Sequence, residues 1–138
     1  MVHRVKSILL YALIILGVWA CSKGNSKEDA EMYDPSPLSM AMRSMESFSE
    51  QAKYKLLHDE KIEVPSEFFE FYTKEATRDE HKEAKFQSLA VPYVNALKGI
   101  ERGDSQMYFY QASIQACKAC HSQYCAGPLA AINQLDID

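Results

Sequence analysis

From Leu38 onward the apolar residues return every three or four positions, and no stretch of useful length alternates apolar with polar. That period belongs to the α-helix, because 3.6 residues per turn bring positions i, i+3, i+4 and i+7 to one face, whereas a half-buried strand needs a period of two. Four stretches carry it. The first, over 37–59, sets Leu38, Met42, Met45, Ala52 and Leu56 in a row with Phe48 beside it. The second opens at Pro65-Ser66, a good helix start, and runs through "EFFEFYTKEA" to about residue 76. The third, over 80–102, carries Phe86, Leu89, Tyr93, Leu97 and Ile100 and stops at Gly103; Pro92 inside it removes a hydrogen bond to Ser88 and predicts a kink. The fourth takes Asp104 as its N-cap, carries Met107, Tyr110, Ile114, Cys117, His121 and Tyr124, and ends at Gly127-Pro128. Four helical segments joined by short turns predict an all-α fold, an antiparallel four-helix bundle over 37–138.

The first twenty residues read as an export signal. His3, Arg4 and Lys6 form a basic head, and the apolar run Ile8 to Ala20 is shorter than the ~20 residues that span a bilayer. The run ends in "VWAC", which resembles a bacterial lipoprotein box, so cleavage before Cys21 and lipidation of that cysteine are expected; an uncleaved N-terminal anchor is the other reading. Residues 21–36 are polar, charged and closed by two prolines, the composition of a flexible tether. Within it Lys27-Glu28-Asp29 resembles the short charged signals that send some Bacteroidetes lipoproteins to the cell surface, but a charge run of this kind reads first as a solvated linker. The formal net charge is −4, and losing Arg4 and Lys6 with the leader makes the remainder more acidic. That balance argues against nucleic-acid binding and against a polybasic membrane-surface role. Membrane attachment is expected through the N-terminal lipid alone.

With Cys21 assigned to lipid, Cys117, Cys120 and Cys125 remain, an odd number within nine residues. They offer no disulfide framework. Cys117-Lys118-Ala119-Cys120-His121 is C-x-x-C-H, the attachment pattern of a c-type haem. On a helix, residues three apart project from nearly one side, so Cys117 and Cys120 can both meet the vinyl groups on one haem edge, and His121 can turn its imidazole to the iron as proximal ligand. A thioredoxin-like dithiol needs a βαβ context and gains nothing from the histidine. A structural zinc site needs four converging ligands, and neighbours Cys120 and His121 point about 100° apart on a regular helix.

"CKACHSQY" late in a helical chain resembles the C-x-x-C-H-x-x-Y of class II cytochromes c, the cytochrome c-prime group. More closely, "SPLSMAMRSME" and "CHSQYCAGPL" are similar to exported monohaem cytochromes of the Bacteroidetes, over about residues 36–132. The resemblance is strongest at the two ends, and Cys125 stands where the usual group has a basic residue. It implies a four-helix bundle with one covalent haem c on its last helix. It also implies that the methionine before Arg43, Met42, takes the distal iron position in six-coordinate members, whereas five-coordinate members place an apolar residue there. The wheel agrees: Met45 lies within about 60° of Met42, and Met40 some 200° away. Met42 is therefore the expected distal ligand, with Met45 in reserve; plain core packing is the alternative for both.

Arg43 is expected beside a haem propionate or, equally, paired with Glu46. Tyr124 is expected to pack on or near the haem or simply in the core. Lys118 stands beside the attachment cysteines as a docking-rim or merely solvated cation. His58, about 24 Å along the helix from Met42, and His81, near a turn, read as surface histidines. Cys125 is either a buried hydrophobe or a thiol available to link a homodimer. His/Met ligation leaves the iron no open position, so the expectation is an exported, periplasm-facing electron carrier rather than an enzyme, exchanging electrons with exported donor and acceptor proteins. The alternative is a five-coordinate protein binding NO or CO; the third reading is a haem-free thiol or zinc lipoprotein.

Overall fold

The computed structural model describes residues 34–103 and 105–137, all but the first of them in the compact unit Pro35–Asp138. The expected leader over 1–20, Cys21 with its expected lipid, residues 22–33 of the expected tether and Asp104, the expected cap, lie outside the described residues. The described chain is all-helical, with no strand among those residues. Three α-helices dominate: α1, Pro37–Leu57; α2, Ala84–Arg102; and α3, Gln106–Tyr124. A short α4, Leu129–Asn133, follows them.

α1 starts where its chemistry says it should. Ser36 accepts a hydrogen bond from the Ser39 amide at 3.3 Å, and Pro37 occupies the first turn, where a missing N–H costs nothing. Its buried row is Leu38, Ala41, Met45, Ser49 and Ala52. The expected row differs at two places: Met42 and Leu56 lie half-buried on its flank, while Met45 is inside it.

The second expected helix is a 3-10 segment, Ser66–Thr73, broken internally at Glu70 (φ −122°, ψ 17°). The reason is in the aromatic spacing. Phe68 and Phe71 are both buried, and a three-residue period places i and i+3 directly above each other. Phe68 meets Phe48 of α1 edge-on at 5.4 Å, and Phe71 meets Tyr93 of α2 at 5.6 Å. The third expected helix is also divided: Asp79–Lys82 is a separate 3-10 turn, Glu83 is extended, and α2 begins at Ala84. α2 continues through Pro92, whose ring and the Ser88 carbonyl that loses its donor lie on the exposed side. It ends on Gly103 at φ +81°, a left-handed cap that glycine adopts without a Cβ penalty.

α2 and α3 pack closely because Gly99 has no side chain; a Cβ there would stand 2.2 Å from Phe109 Cδ1. Their shared core includes Leu97 and Ile100, neither exposed at all, and each such burial stabilises by roughly 1.5–3 kcal/mol. At one end of the molecule the Gln106 side chain closes the structure. It accepts from the Ile62 amide (3.1 Å) and donates to the Ile62 and Ile100 carbonyls (3.0 and 2.8 Å). This brings the end of α1 to the start of α3, so these two helices run antiparallel.

The residues after α4 form a strap across α1 and α3 that the periodicity did not announce. Lys53 of α1 donates to the Gln134 and Asp136 carbonyls at 2.9 and 2.6 Å. Tyr110 of α3 donates to the Leu135 carbonyl at 2.8 Å and to the Ser49 carbonyl at 3.2 Å. Among the described residues no helix is long and apolar enough to cross a membrane.

Candidate functional site

The last two turns of α3 carry Cys117, Cys120 and His121, all half-buried. With Cys117 as zero and about 100° per residue, Cys120 falls about 60° to the side of Phe109, which packs on Gly99 of α2. His121 falls about 40° to the other side, shared with Tyr110, which reaches α1. The two thiols thus address the α2 side and the middle of the core, and the imidazole leans toward the methionine-bearing helix.

The imidazole is also oriented. His121 Nδ1 lies 3.0 Å from the carbonyl oxygen of Cys125, which has left helical geometry at φ −157°, ψ 83°. A carbonyl only accepts, so Nδ1 carries the proton and donates. In the neutral ring that leaves the Nε2 lone pair free for a metal, an arrangement in which the second bond fixes both tautomer and ring angle. Sequence reading left Cys125 as a buried hydrophobe or a linking thiol; its side chain is exposed, so it is not a buried hydrophobe. Its backbone oxygen is what holds the His121 ring, and only the break in the helix at residue 125 reveals it.

The thiols are not activated. Burial pushes the Cys117 thiol up to about 12, and neighbouring Cys120 adds to the effect; burial raises Cys120 as well. A reactive dithiol or a thiolate metal site needs the opposite shift, which positive neighbours or a helix N-terminus would provide. Among the described residues no three His, Cys, Asp or Glu side chains converge as a metal-binding group.

The methionines sit at the right height. Tyr110 to Ser49 ties α3 to α1, and Met42 and Cys117 each lie about 10 Å along their antiparallel helices from that tie, in the same direction. Met42 packs against the core from the flank, whereas Met45 is 5 % exposed within it. Met40 is half exposed, off the row as expected. Arg43 stands about 160° round the helix from Met45, on the exposed face. Among the described residues it makes no ion pair, so the pair with Glu46 is not formed.

Two residues expected at the surface are used internally. The His81 side chain is only 16 % exposed and packs against Phe86 (5.2 Å) and Tyr124 (5.5 Å), with Glu80 Oε1 4.0 Å from its Nε2. Lys118 is ion-paired to Asp136 of the strap rather than free at a rim. His58 is exposed as expected, stacked on Tyr54 at 4.0 Å. Tyr124 meets Phe86 edge-on at 5.5 Å, and its Oη is buried without a hydrogen-bond partner. Tyr93 Oη, absent from every sequence-based candidate set because its residue reads as ordinary core, shares that condition. Burial pushes its phenol well above the ordinary value, so it remains a protonated donor.

Compared with protein-family models, curated proteins and solved structures, the chain matches none.

Proposed function

We propose that this chain is an exported, lipid-anchored monohaem c-type cytochrome of the class II kind, an electron carrier rather than an enzyme. In this reading its helices form an antiparallel four-helix bundle, with the 3-10 segment Ser66–Thr73 as the shortened second member. Cys117 and Cys120 hold one haem c through thioethers, His121 Nε2 is the proximal ligand, and Met42 is the distal ligand with Met45 in reserve. Cys21 carries the lipid, and the partners are exported electron donors and acceptors.

The observation that carries the proposal is the His121 Nδ1–H to Cys125 carbonyl bond beside two inward-facing thiols. Together they give a tautomer-fixed imidazole and a pair of attachment points on one face, which is the donor set the C-x-x-C-H spacing calls for. Three further features fit. The raised thiols suit thioether formation, which asks for no thiolate in the folded protein. Met42 stands level with Cys117, on the side to which His121 leans. The Tyr124 phenol oxygen is buried without a hydrogen-bond partner among the described residues.

When bound, haem c supplies a one-electron iron couple. The chain's own residues do the rest. His121 is held by the Cys125 carbonyl so that its Nε2 need not reorganise between oxidation states. The apolar core around Tyr93, Leu97 and Ile114 excludes water, and the methionine thioether, a soft donor, favours the reduced state relative to other axial sets.

The test is optical. The mature chain, made with a haem-ligation system, should show a Soret band, a ferric sulfur-to-iron charge-transfer band and no shift with CO. Met42→Ala should produce a high-spin spectrum that shifts with CO. An unchanged Met42→Ala spectrum moves the ligand to Met45. A parent that is high-spin and takes up CO supports the gas-binding alternative, and no Soret band leaves the haem-free thiol or zinc lipoprotein.

A further inference from the structure

The strap after α4 meets the long helices at separate points rather than along a continuous seam. Leu135 is buried, yet an open cleft of about 360 Å³ lies between Tyr110 and Ile114 of α3 and Asp136 and Ile137 of the strap. Polar bonds therefore carry much of the attachment. One strap residue, Asp136, holds both α1 and α3. Its carbonyl accepts from Lys53 Nζ of α1 at 2.6 Å, and its carboxylate is ion-paired with Lys118 of α3, the residue that follows Cys117. Lys53 also donates to the neighbouring Gln134 carbonyl at 2.9 Å.

The two anchor points do not stand opposite each other. Measured along the antiparallel helices from the Tyr110–Ser49 bond, Lys53 lies about 6 Å to one side and Lys118 about 12 Å to the other. The Tyr110–Ser49 bond is a single point, and one point is a pivot. A diagonal tie that crosses it resists both rotation about the pivot and sliding of α1 along α3. One residue of slip is about 1.5 Å along a helix, whereas a site's side chains must be held to within about 0.5 Å.

We propose that Asp136 is a positioning residue: by joining Lys53 to Lys118 it fixes the register of α1 against α3, and with it the height of the methionines relative to the attachment turn. The inference rests on the haem reading above, in which each of these helices supplies one iron ligand, and it gives a role to the strap that the reading does not need. The Lys118 and Asp136 side chains are 21 % and 40 % exposed, so water screens their attraction in part.

The experiment is Asp136→Asn in the full chain made with haem. It keeps the carbonyl that meets Lys53 and removes the charge that holds Lys118. Asp79→Asn, the same change in the exposed Asp79–Lys82 pair, is the control. Ferric protein is titrated with imidazole, which competes with the methionine for the iron, and the sulfur-to-iron band is followed. Half of that band should be lost from Asp136→Asn at about fivefold less imidazole than from the parent, the worth of one partly exposed ion pair, with the Soret band retained. Lys53→Met, which cuts the other end of the tie, should act in the same direction. Asp136→Glu should restore the parent titration, and Asp79→Asn should match it throughout. A titration of Asp136→Asn that overlays the parent's overturns the proposal and leaves the haem reading standing, even if the variant melts earlier. An equal effect of Asp79→Asn overturns it as well, the change then being one of net charge. A variant that no longer folds also overturns it, because the strap would then hold the fold and not the register. A parent with a Soret band but no sulfur band overturns the proposal and the methionine ligand together, and a parent with no Soret band overturns the haem reading with them.

Discussion

Tyr110→Phe removes one oxygen atom from a side chain that is 1 % exposed, and that atom joins three parts of the structure. Its hydroxyl donates to the Ser49 carbonyl of α1 and the Leu135 carbonyl of the C-terminal strap, from the second turn of α3. The Ser49 carbonyl sits within α1 and keeps its helical partner, so the larger loss is at Leu135, whose carbonyl is left without a donor. A net hydrogen bond is worth about 1 kcal/mol, and an unpaired buried carbonyl costs about 1–3 kcal/mol, so roughly 2 kcal/mol is expected. For a domain of this size that lowers Tm by about 10 °C. Thermal unfolding followed by far-ultraviolet circular dichroism reads it directly, with Tyr108→Phe, the same chemical change at a 66 % exposed position, as the control. Hydrogen exchange at residues 134–137 should accelerate in the variant, because the strap loses its central attachment. If Tyr110→Phe melts with Tyr108→Phe, the strap is not held as described.

Gly99→Ala should destabilise by about 1–3 kcal/mol in urea unfolding, because the new Cβ meets the Phe109 ring; the gain in helix propensity, about 1 kcal/mol, offsets only part of it, and a net stabilisation would refute the close approach. Cys125→Ser should leave the Soret band and midpoint potential unchanged, since His121 is held by the backbone carbonyl, and should abolish any disulfide-linked dimer on a non-reducing gel. In chain made without haem, Cys117 holds its proton more tightly folded than unfolded. Its contribution is therefore complete below its ordinary 9.0 and lost as pH rises toward about 12. Alkaline denaturation measured by circular dichroism should lose that component in Cys117→Ala.

Much of this was legible in the sequence because it depends on neighbours along the chain. The 3.6-residue period announced α1, α2 and α3, and the C-x-x-C-H spacing alone places Cys117 and Cys120 on one side of a helix with His121 next to them. The 3-10 geometry of Ser66–Thr73 was less accessible, since two aromatics three apart suit either helix until their partners Phe48 and Tyr93 are known. The inward position of His81 and the pairing of Lys118 with Asp136 had no local signal at all.

What the sequence alone determined is the set of chemical groups and their order along each helix, because covalent spacing and the α-helical period are local properties. What the tertiary structure decided is the rotation of each helix about its own axis and the partners that rotation selects. That rotation buries Met45 more deeply than Met42 and turns Arg43 outward. It also buries the Tyr93 ring in the core, edge-on to Phe71. A half-apolar helix can bury any of several neighbouring residues, and only packing against elements forty to eighty positions away chooses among them.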